Sequence, residues 1–206
     1  MKPYLILQAT YQNVEFALYN ESEQLEYGSI DKIQASALLV GKLCALLERH
    51  SLTFSHLEFI GASQGPAPFT TLRSMIATLN GIAFATKVPL VGCDGLATFV
   101  KAHHKNNNTV ALLNAFSGDV YYAFYNGTEL EMGWDKPEKY IQSLQEKYPD
   151  QTFTFIGNAA HNKKEGAEFP ELTNIAAECL SLFKKNEGKE QLLPLHMKTM
   201  DYKKAS

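Results

Sequence analysis

The feature that most restricts how this chain can fold is an internal repeat that covers most of its length. Three segments of the first half return in the same order in the second half: 5–9 as 111–115, 14–20 as 120–126, and 25–28 as 130–133. Each copy is typical of three short strands, because runs of aliphatic and aromatic residues alternate with Asn, Gly and Ser. A helical stretch and a fourth strand follow, at 57–61 in the first copy and at 153–157 in the second. The repeat therefore predicts two similar α/β lobes.

Two lobes of this kind are similar to the architecture of the actin, sugar-kinase and Hsp70 (ASKHA) superfamily, and we expect that α/β fold class here. The lobe boundary is expected in the polar segment 101–108, which is rich in the turn-forming residue Asn. This gives an N-terminal lobe at 1–102, which carries the two long helices, and a C-terminal lobe at 103–206. The tail of the second lobe can return to the first.

Composition limits the partners and the location of the protein. The 206 residues include 19 basic and 22 acidic side chains, a formal net charge of -3, so the chain offers no strong positive field for binding nucleic acid alone. The three cysteines Cys44, Cys93 and Cys179 lie far apart and form neither a CxxC metal motif nor an even disulfide set. No apolar run approaches the roughly 20 residues that span a bilayer, and the N-terminus lacks the pattern of a signal peptide. We therefore predict a cytoplasmic protein without a membrane partner.

Two predicted helices, at 31–50 and 71–86, carry matching stripes of small residues. The residues recur every four positions: Ala37, Gly41 and Ala45 on the first helix, and Ala77, Gly81 and Ala85 on the second. Residues four apart share a helix face, and small side chains let another backbone approach closely. Glycine inside a helix costs about 1 kcal/mol relative to alanine, which indicates that close packing compensates for it. The stripes either pack on each other within the lobe or pack against another subunit.

The first helix is apolar nearly all round, with Ile33, Leu38 and Val40 lying outside a single stripe. A helix of this kind is expected to be buried on more than one side. The second helix carries Leu72, Met75 and Leu79 at the spacing of a face that packs on a core.

The loop before the second helix carries a family resemblance. Residues 65–73 read Gly-Pro-Ala-Pro-Phe-Thr-Thr-Leu-Arg and are similar to the Gly-Pro-Gly-Ser-Phe-Thr-Gly-Leu-Arg signature of the TsaB family. Six signature residues are kept: Gly65, Pro66, Phe69, Thr70, Leu72 and Arg73. The first hairpin, both helices, the second hairpin and the segment 194–198 follow in the order of that family, so the resemblance covers most of the chain.

The resemblance implies a non-catalytic dimerisation subunit of the bacterial complex that makes threonylcarbamoyladenosine, next to the anticodon of tRNA. Its partner would be a catalytic subunit of the TsaD type in a heterodimer, with a TsaE-like ATPase and tRNA engaged through the complex. A homodimer is the alternative pairing. The residues expected to bind the partner are Ala37, Gly41, Ala45, Phe69, Arg73, Ala77, Gly81 and Ala85. Arg73 either pairs with a carboxylate of the partner or caps the loop of its own chain.

Departures from the superfamily pattern argue against catalysis. Gln8 and Asn114 stand where the superfamily usually has an Asp at the end of the first strand of each lobe, so neither lobe offers that charge to a divalent cation. Ala67 and Pro68 in the signature stiffen the loop, and proline removes a backbone donor for a phosphate. We expect no cofactor and no metal in the isolated chain, while nucleotide binding at a subunit junction stays open. A nucleotide-binding or kinase-like protein of the same superfamily is the alternative function.

A serine hydrolase is the remote alternative, because Gly61-Ala62-Ser63-Gln64-Gly65 matches the G-x-S-x-G elbow between a strand and a helix. In that elbow the helix begins directly after the serine. Pro66 disfavours helical conformation at Gly65, so the helix here can begin only near 69–71. The pair His103-His104 lacks further ligands at metal-site spacing and is interpreted as part of a polar loop.

Overall fold

The computed structural model describes residues 2–105, 108–160 and 168–195. The described residues form two compact units. The first takes the chain up to Thr98 together with Pro170–Leu195, and the second takes the described residues between Phe99 and Phe169. The division at 102/103 stays a prediction of the sequence. Residues 170–195 belong to the first unit, because this late segment packs on the first sheet.

Nine strands and five α-helices occur within the described ranges. The strands are β1 (Tyr4–Ala9), β2 (Asn13–Asn20), β3 (Glu23–Asp31), β4 (Ile60–Ser63), β5 (Leu90–Cys93), β6 (Asn108–Asn114), β7 (Val120–Tyr125), β8 (Leu130–Asp135) and β9 (Phe153–Ile156). The helices are α1 (Lys32–Arg49), α2 (Phe69–Thr86), α3 (Gly95–Ala102), α4 (Pro137–Lys147) and α5 (Leu172–Lys184). None of these helices is long and apolar enough to cross a membrane.

The first unit is a five-stranded sheet with helices on both faces. The strand order is β3-β2-β1-β4-β5, with antiparallel pairing among β1, β2 and β3 and parallel pairing from β1 to β4 and from β4 to β5. Because side chains alternate along a strand, β1 sends Leu5 and Leu7 to one face and Tyr4 and Ile6 to the other. The core on the first face includes Leu39 and Leu43 of α1 and Leu72 and Met75 of α2; the core on the second includes Ile175 and Cys179 of α5.

The second unit repeats the first four strands of this sheet in the order β8-β7-β6-β9, with the same antiparallel and parallel pairings. The copies agree in detail. Gly28 lies opposite Phe16 and Gly133 lies opposite Tyr122, and in both pairs an atom of the aromatic side chain lies 2.5 Å from where a glycine Cβ would stand. The two similar α/β lobes predicted from the repeat are confirmed, with α4 packed on one face of the second sheet.

The two long helices begin and end for local reasons. Asp31 caps α1, since its carboxylate accepts a hydrogen bond from the Ile33 N–H at 2.8 Å. Helix α2 begins directly after Pro68 and ends at Thr86. Lys87 follows it as the C-cap, with a left-handed φ of 63° that stops the helix, and its N–H donates to the Ala83 carbonyl. The predicted extents of both helices agree with the structure to within two residues, whereas α3 and α5 were not predicted.

Candidate interaction surface on α1 and α2

The predicted partner-binding residues lie on the side of α1 and α2 that faces away from the sheet. Most of them are exposed, namely Ala37, Gly41, Phe69, Arg73, Ala77, Gly81 and Ala85, while Ala45 is half-buried. Together with the exposed side chains of Ile33, Val40 and Phe84 they form what we call the outward face.

Helix geometry explains this placement. Gly41 is two residues from Leu39 and two residues from Leu43, and both leucines are buried. Side chains two positions apart in a helix are separated by about 200° around its axis. Gly81 stands in the same relation to buried Leu79 and Ala83. The small stripe of each helix is therefore opposite the stripe that packs on the sheet.

The space around the two stripe glycines decides between the interpretations of the sequence. A Cβ built on Gly41 or on Gly81 would meet no atom of the described chain within 4 Å, apart from its own helix backbone and neighbours. The interpretation in which the two stripes pack on each other within the lobe is therefore wrong. Helices α1 and α2 share a core through their other faces.

Large apolar side chains on the outward face are exposed to a degree that is unusual for a buried helix pair. The exposed fraction is 82% for Ile33, 78% for Phe84 and 49% for Val40. The described residues therefore leave the outward side of α1 exposed, whereas the sequence predicted burial on more than one side. Ile33 and Phe84 were not among the predicted contact residues, although Ile33 precedes Ala37 by one helical turn and Phe84 follows Gly81 by three residues.

A cationic side chain lies over each exposed aromatic ring of α2. The Arg73 guanidinium lies 4.8 Å from the ring centroid of Phe69, and the Lys87 ammonium lies 4.8 Å from that of Phe84. Cation–π contacts at exposed sites contribute about 0.5–1 kcal/mol. Arg73 therefore positions the ring at the start of α2, and its interaction with a partner carboxylate stays a prediction.

Ser63 does not have the environment of a hydrolase nucleophile. It is buried, and its hydroxyl accepts a hydrogen bond from the Gly65 N–H at 3.3 Å. Asp94, the first acidic residue after Ser63 in the chain, caps α3 by accepting hydrogen bonds from the N–H groups of Leu96 and Ala97, each at 2.9 Å. Helix α2 begins six residues after the serine, whereas a nucleophile elbow requires a helix to follow immediately.

The two amide side chains at the strand ends, Gln8 and Asn114, each form hydrogen bonds within their own unit. Gln8 is buried, and its Nε2 donates to the Glu15 carboxylate at 2.6 Å and to the Pro170 carbonyl at 3.0 Å. Asn114 accepts a hydrogen bond from the Phe116 N–H at 2.7 Å. An aspartate at position 8 would face the Glu15 carboxylate and repel it, so the amide suits this environment and an acid would not.

The histidine pair is used in local contacts. His103 Nδ1 lies 3.0 Å from the Phe99 carbonyl oxygen, and the ring of His104 packs edge-on against Tyr125. Within the described residues no group of three His, Cys, Asp or Glu side chains has the arrangement of a metal site.

Comparison with known proteins gives this arrangement a family. Residues 36–197 match the model of the TsaD family, described as tRNA N6-adenosine threonylcarbamoyltransferase. The tRNA threonylcarbamoyladenosine biosynthesis protein TsaB of Buchnera aphidicola (subsp. Schizaphis graminum) is 22% identical over 143 residues, 67% of this chain and 68% of that protein. TsaB of Escherichia coli K12 is 29% identical over 87 residues, 41% of this chain and 38% of that protein.

Solved structures show the same fold. YeaZ from Pseudomonas aeruginosa superposes with a TM-score of 0.73 and 20% identity, covering 95% of this chain and all of that one. A second structure, described as an uncharacterized protein with similarity to peptidase YeaZ from Pseudomonas aeruginosa, gives a TM-score of 0.75, also at 20% identity, over 96% of this chain. The predicted α/β fold class of two similar lobes is thereby confirmed, and its assignment to the ASKHA superfamily stays a prediction. The chain belongs to the family that the matching model describes, and within it to the TsaB/YeaZ proteins.

Proposed function

We propose that this chain takes part in threonylcarbamoyladenosine biosynthesis as a non-catalytic subunit that binds a TsaD-like catalytic subunit through the outward face. Its relatives are named as biosynthesis proteins of this tRNA modification. The single observation that carries the proposal is the open space at Gly41 and Gly81, on helices that also expose Ile33 and Phe84. Contiguous apolar surface of this kind marks interaction sites in soluble proteins.

A TsaD-like partner fits this face because of homology. The TsaD family model matches residues 36–197, a range that contains nearly all of α1 and the whole of α2. A TsaD-like protein is therefore expected to have a corresponding helix pair, and related surfaces can pair about an approximate two-fold axis. Small residues at the crossing points allow the helices of the two subunits to approach at the short end of the usual 8–10 Å. The same reasoning keeps a homodimer as the competing pairing.

The non-catalytic part of the proposal is supported by the side chains at the strand ends. Gln8 and Asn114 bring no charge for a magnesium ion, and Ser63 is buried beneath the signature loop. A TsaE-like ATPase and tRNA engaged through the complex, as well as a cytoplasmic location, remain parts of the proposal. A formal net charge of -3 is consistent with a subunit that leaves most phosphate contacts to its partner.

Size-exclusion chromatography with light scattering tests the proposal, using this chain alone and mixed with the TsaD-like protein of the same organism. A one-to-one complex is expected. Gly81→Leu should abolish it, because the leucine side chain fills the space that the partner helix needs. The variant should stay folded, since leucine has the higher helix propensity and nothing in the described chain lies in its way.

Ala85→Leu and Ala177→Leu provide a matched pair. Both alanines are exposed residues on helices of the first unit, but Ala177 lies on α5, on the other side of the sheet. Ala85→Leu should weaken the complex and Ala177→Leu should leave it unchanged. Normal binding by Gly81→Leu would show that the outward face is not the binding site. Magnesium-dependent ATP binding by the isolated chain would instead favour the kinase-like alternative.

A further inference from the structure

A strap of seven residues, 189–195, follows α5 and runs along one side of α2. Its first residue pairs with the edge strand of the sheet, because Lys189 and Leu90 exchange backbone hydrogen bonds of 2.7 and 2.8 Å. Its last residue binds the residue that precedes the signature segment 65–73, since the Leu195 N–H donates to the Gln64 carbonyl at 2.9 Å. The strap therefore connects the two ends of α2.

The side chain of Asn80 holds the middle of the strap. Its Nδ2 donates to the Leu192 carbonyl and its Oδ1 accepts from the Leu192 N–H, both at 2.9 Å. This double contact reproduces the pairing that a neighbouring strand would provide, and it fixes the register of the strap. Leu192 is consequently buried at 1% exposure, and the next side chain, Leu193, is 66% exposed.

Gln64 holds the following residue. Its Nε2 donates to the Leu193 carbonyl, and its carboxamide packs against Gly92, where a Cβ would collide with it. Two amide side chains from the α2 side of the unit thus bind successive backbone groups of the strap. As a result, the exposed leucines of the strap have a set position beside α2.

A groove of about 720 Å³ lies among the end of α2, the end of α5 and the first three residues of the strap. Its lining combines the apolar side chains of Phe84, Pro89 and Phe183 with polar and charged side chains that include Asn186, Gln191 and Lys87. This volume accommodates a short peptide segment, and the lining amides can hydrogen-bond a peptide backbone. Phe84 belongs both to the groove and to the outward face, so the two surfaces are continuous.

We propose that the strap and its groove extend the partner-binding surface, and that the groove takes an apolar segment of the same TsaD-like subunit that covers α1 and α2. This inference rests on the proposed function. A partner that buries Phe84 on the outward face reaches the groove without a gap, because the ring forms the shared wall. Leu193 is then a contact residue, and Asn80 is a positioning residue that acts through Leu192.

Affinity measured by titration calorimetry with the TsaD-like protein provides the first test. Leu193→Asp should weaken binding by about tenfold, since a charged side chain replaces an apolar contact. Leu195→Asp and Leu25→Asp form a matched pair, because both leucines are 38% exposed. Leu25 lies on β3, at the opposite edge of the sheet from the strap. Leu195→Asp should weaken binding, and Leu25→Asp should not change it.

Asn80→Ala tests the positioning role with a readout that needs no partner. Hydrogen exchange at the Leu192 amide should accelerate by at least about tenfold, because the bond to Oδ1 is lost. Binding should weaken as well, and Asn80→Asp, which keeps the acceptor, should give an intermediate rate of exchange at that amide.

The outcomes separate the two proposals. Loss of TsaD-like binding with Gly81→Leu, together with weaker binding by Leu193→Asp, supports both proposals. Full loss with Gly81→Leu and parental affinity with both Leu193→Asp and Leu195→Asp overturns the strap proposal and leaves the proposed function standing. Parental affinity with Gly81→Leu overturns the proposed function, and the strap proposal with it. Self-association of this chain that Leu193→Asp disrupts, with no effect on TsaD-like binding, assigns the strap to a contact with a second copy and also overturns the inference.

Discussion

Phe59 and Phe84 both belong to the first unit, but only Phe59 is buried within it. Phe59 is fully buried on the α5 side of the sheet, stacked between Tyr4 and Phe183 with ring centroids 4.6 and 4.5 Å away. Phe84, on the outward face of α2, is 78% exposed. The difference shows that residue type predicts an apolar surface, whereas only the surrounding folded chain shows whether that surface is buried.

The glycines of the same two regions differ in the same way. A Cβ on Gly61 of β4 would lie 2.6 Å from Ile6 Cδ1 and 2.8 Å from Cys179 Cβ, a carbon of α5. A Cβ on Gly81 would meet nothing within 4 Å apart from its own helix. Gly61 is required by the fold of the chain itself, whereas Gly81 leaves room for something outside the described chain.

The largest effect on stability is expected from truncating the enclosed ring. Phe59→Ala should lower the free energy of unfolding by about 3–5 kcal/mol, because it removes buried surface and leaves a cavity. Phe84→Ala should change it by no more than about 1 kcal/mol, because little is lost beyond the exposed cation–π contact with Lys87. Urea denaturation of the isolated chain followed by circular dichroism measures both. A large loss with Phe84→Ala would mean that the ring is packed in the free protein and that the comparison fails.

Substitutions of glycine by alanine should have opposite signs in the two regions. Gly61→Ala should destabilise the chain by about 1–3 kcal/mol, since Ile6 and Cys179 must shift to admit the methyl group. Gly41→Ala and Gly81→Ala should each stabilise it by up to about 1 kcal/mol, because alanine favours a helix and the space is open. Thermal unfolding of the three variants measures the signs. Destabilisation by Gly81→Ala would be incompatible with an open outward face.

The smallest effect concerns alkaline pH and distinguishes the two sides of the sheet. Burial raises the pKa of Tyr4 and of Tyr19 from 10.0 to about 12. Both belong to the core on the α5 side, whereas the core beneath α1 and α2 contains no tyrosine among its described residues.

A pKa raised by folding means that the folded chain binds the proton more tightly than the unfolded chain. The resulting stability is fully present below pH 10 and is lost as the pH rises towards 12. The free energy of unfolding measured from pH 9 to 12 should therefore fall less steeply in Tyr4→Phe and Tyr19→Phe than in the parent. Equal slopes would show that these phenols are not shielded by the α5 side.

Tyr4→Phe should also lower the free energy of unfolding by about 1 kcal/mol at neutral pH, since the Tyr4 hydroxyl donates a hydrogen bond to the Glu21 carbonyl.

Local sequence was sufficient to predict much of the fold. The repeat predicted the strands of both copies, and Asp31 and Pro68 mark the starts of α1 and α2 through caps and proline geometry. The delayed start of α2 also followed from the prolines, which argued against Ser63 as a nucleophile before its burial was known. These features depend on residues close together in the chain.

The contribution of residues 170–195 could not be predicted in the same way. Helix α5 covers the first sheet and the strap reaches Asn80, a contact between residues 112 positions apart. Asn80 and Gln64 resemble ordinary polar residues of a helix and a loop, and no local pattern indicates which distant backbone they bind. The exposure of Leu193 and Phe84 could not be predicted from the sequence, because an apolar side chain is equally compatible with a core.

The sequence by itself determined the two-lobed α/β class and the existence of a small-residue stripe on each of two helices, because strand and helix periods arise from neighbouring residues. Only the tertiary structure decided that these stripes face outward, that Phe59 is enclosed while Phe84 is not, and that residues 189–195 lie beside α2. The reason is that burial depends on which distant segments cover a residue. Periodicity places Gly81 opposite Leu79 on one helix, but only the folded chain shows which of the two faces the sheet occupies.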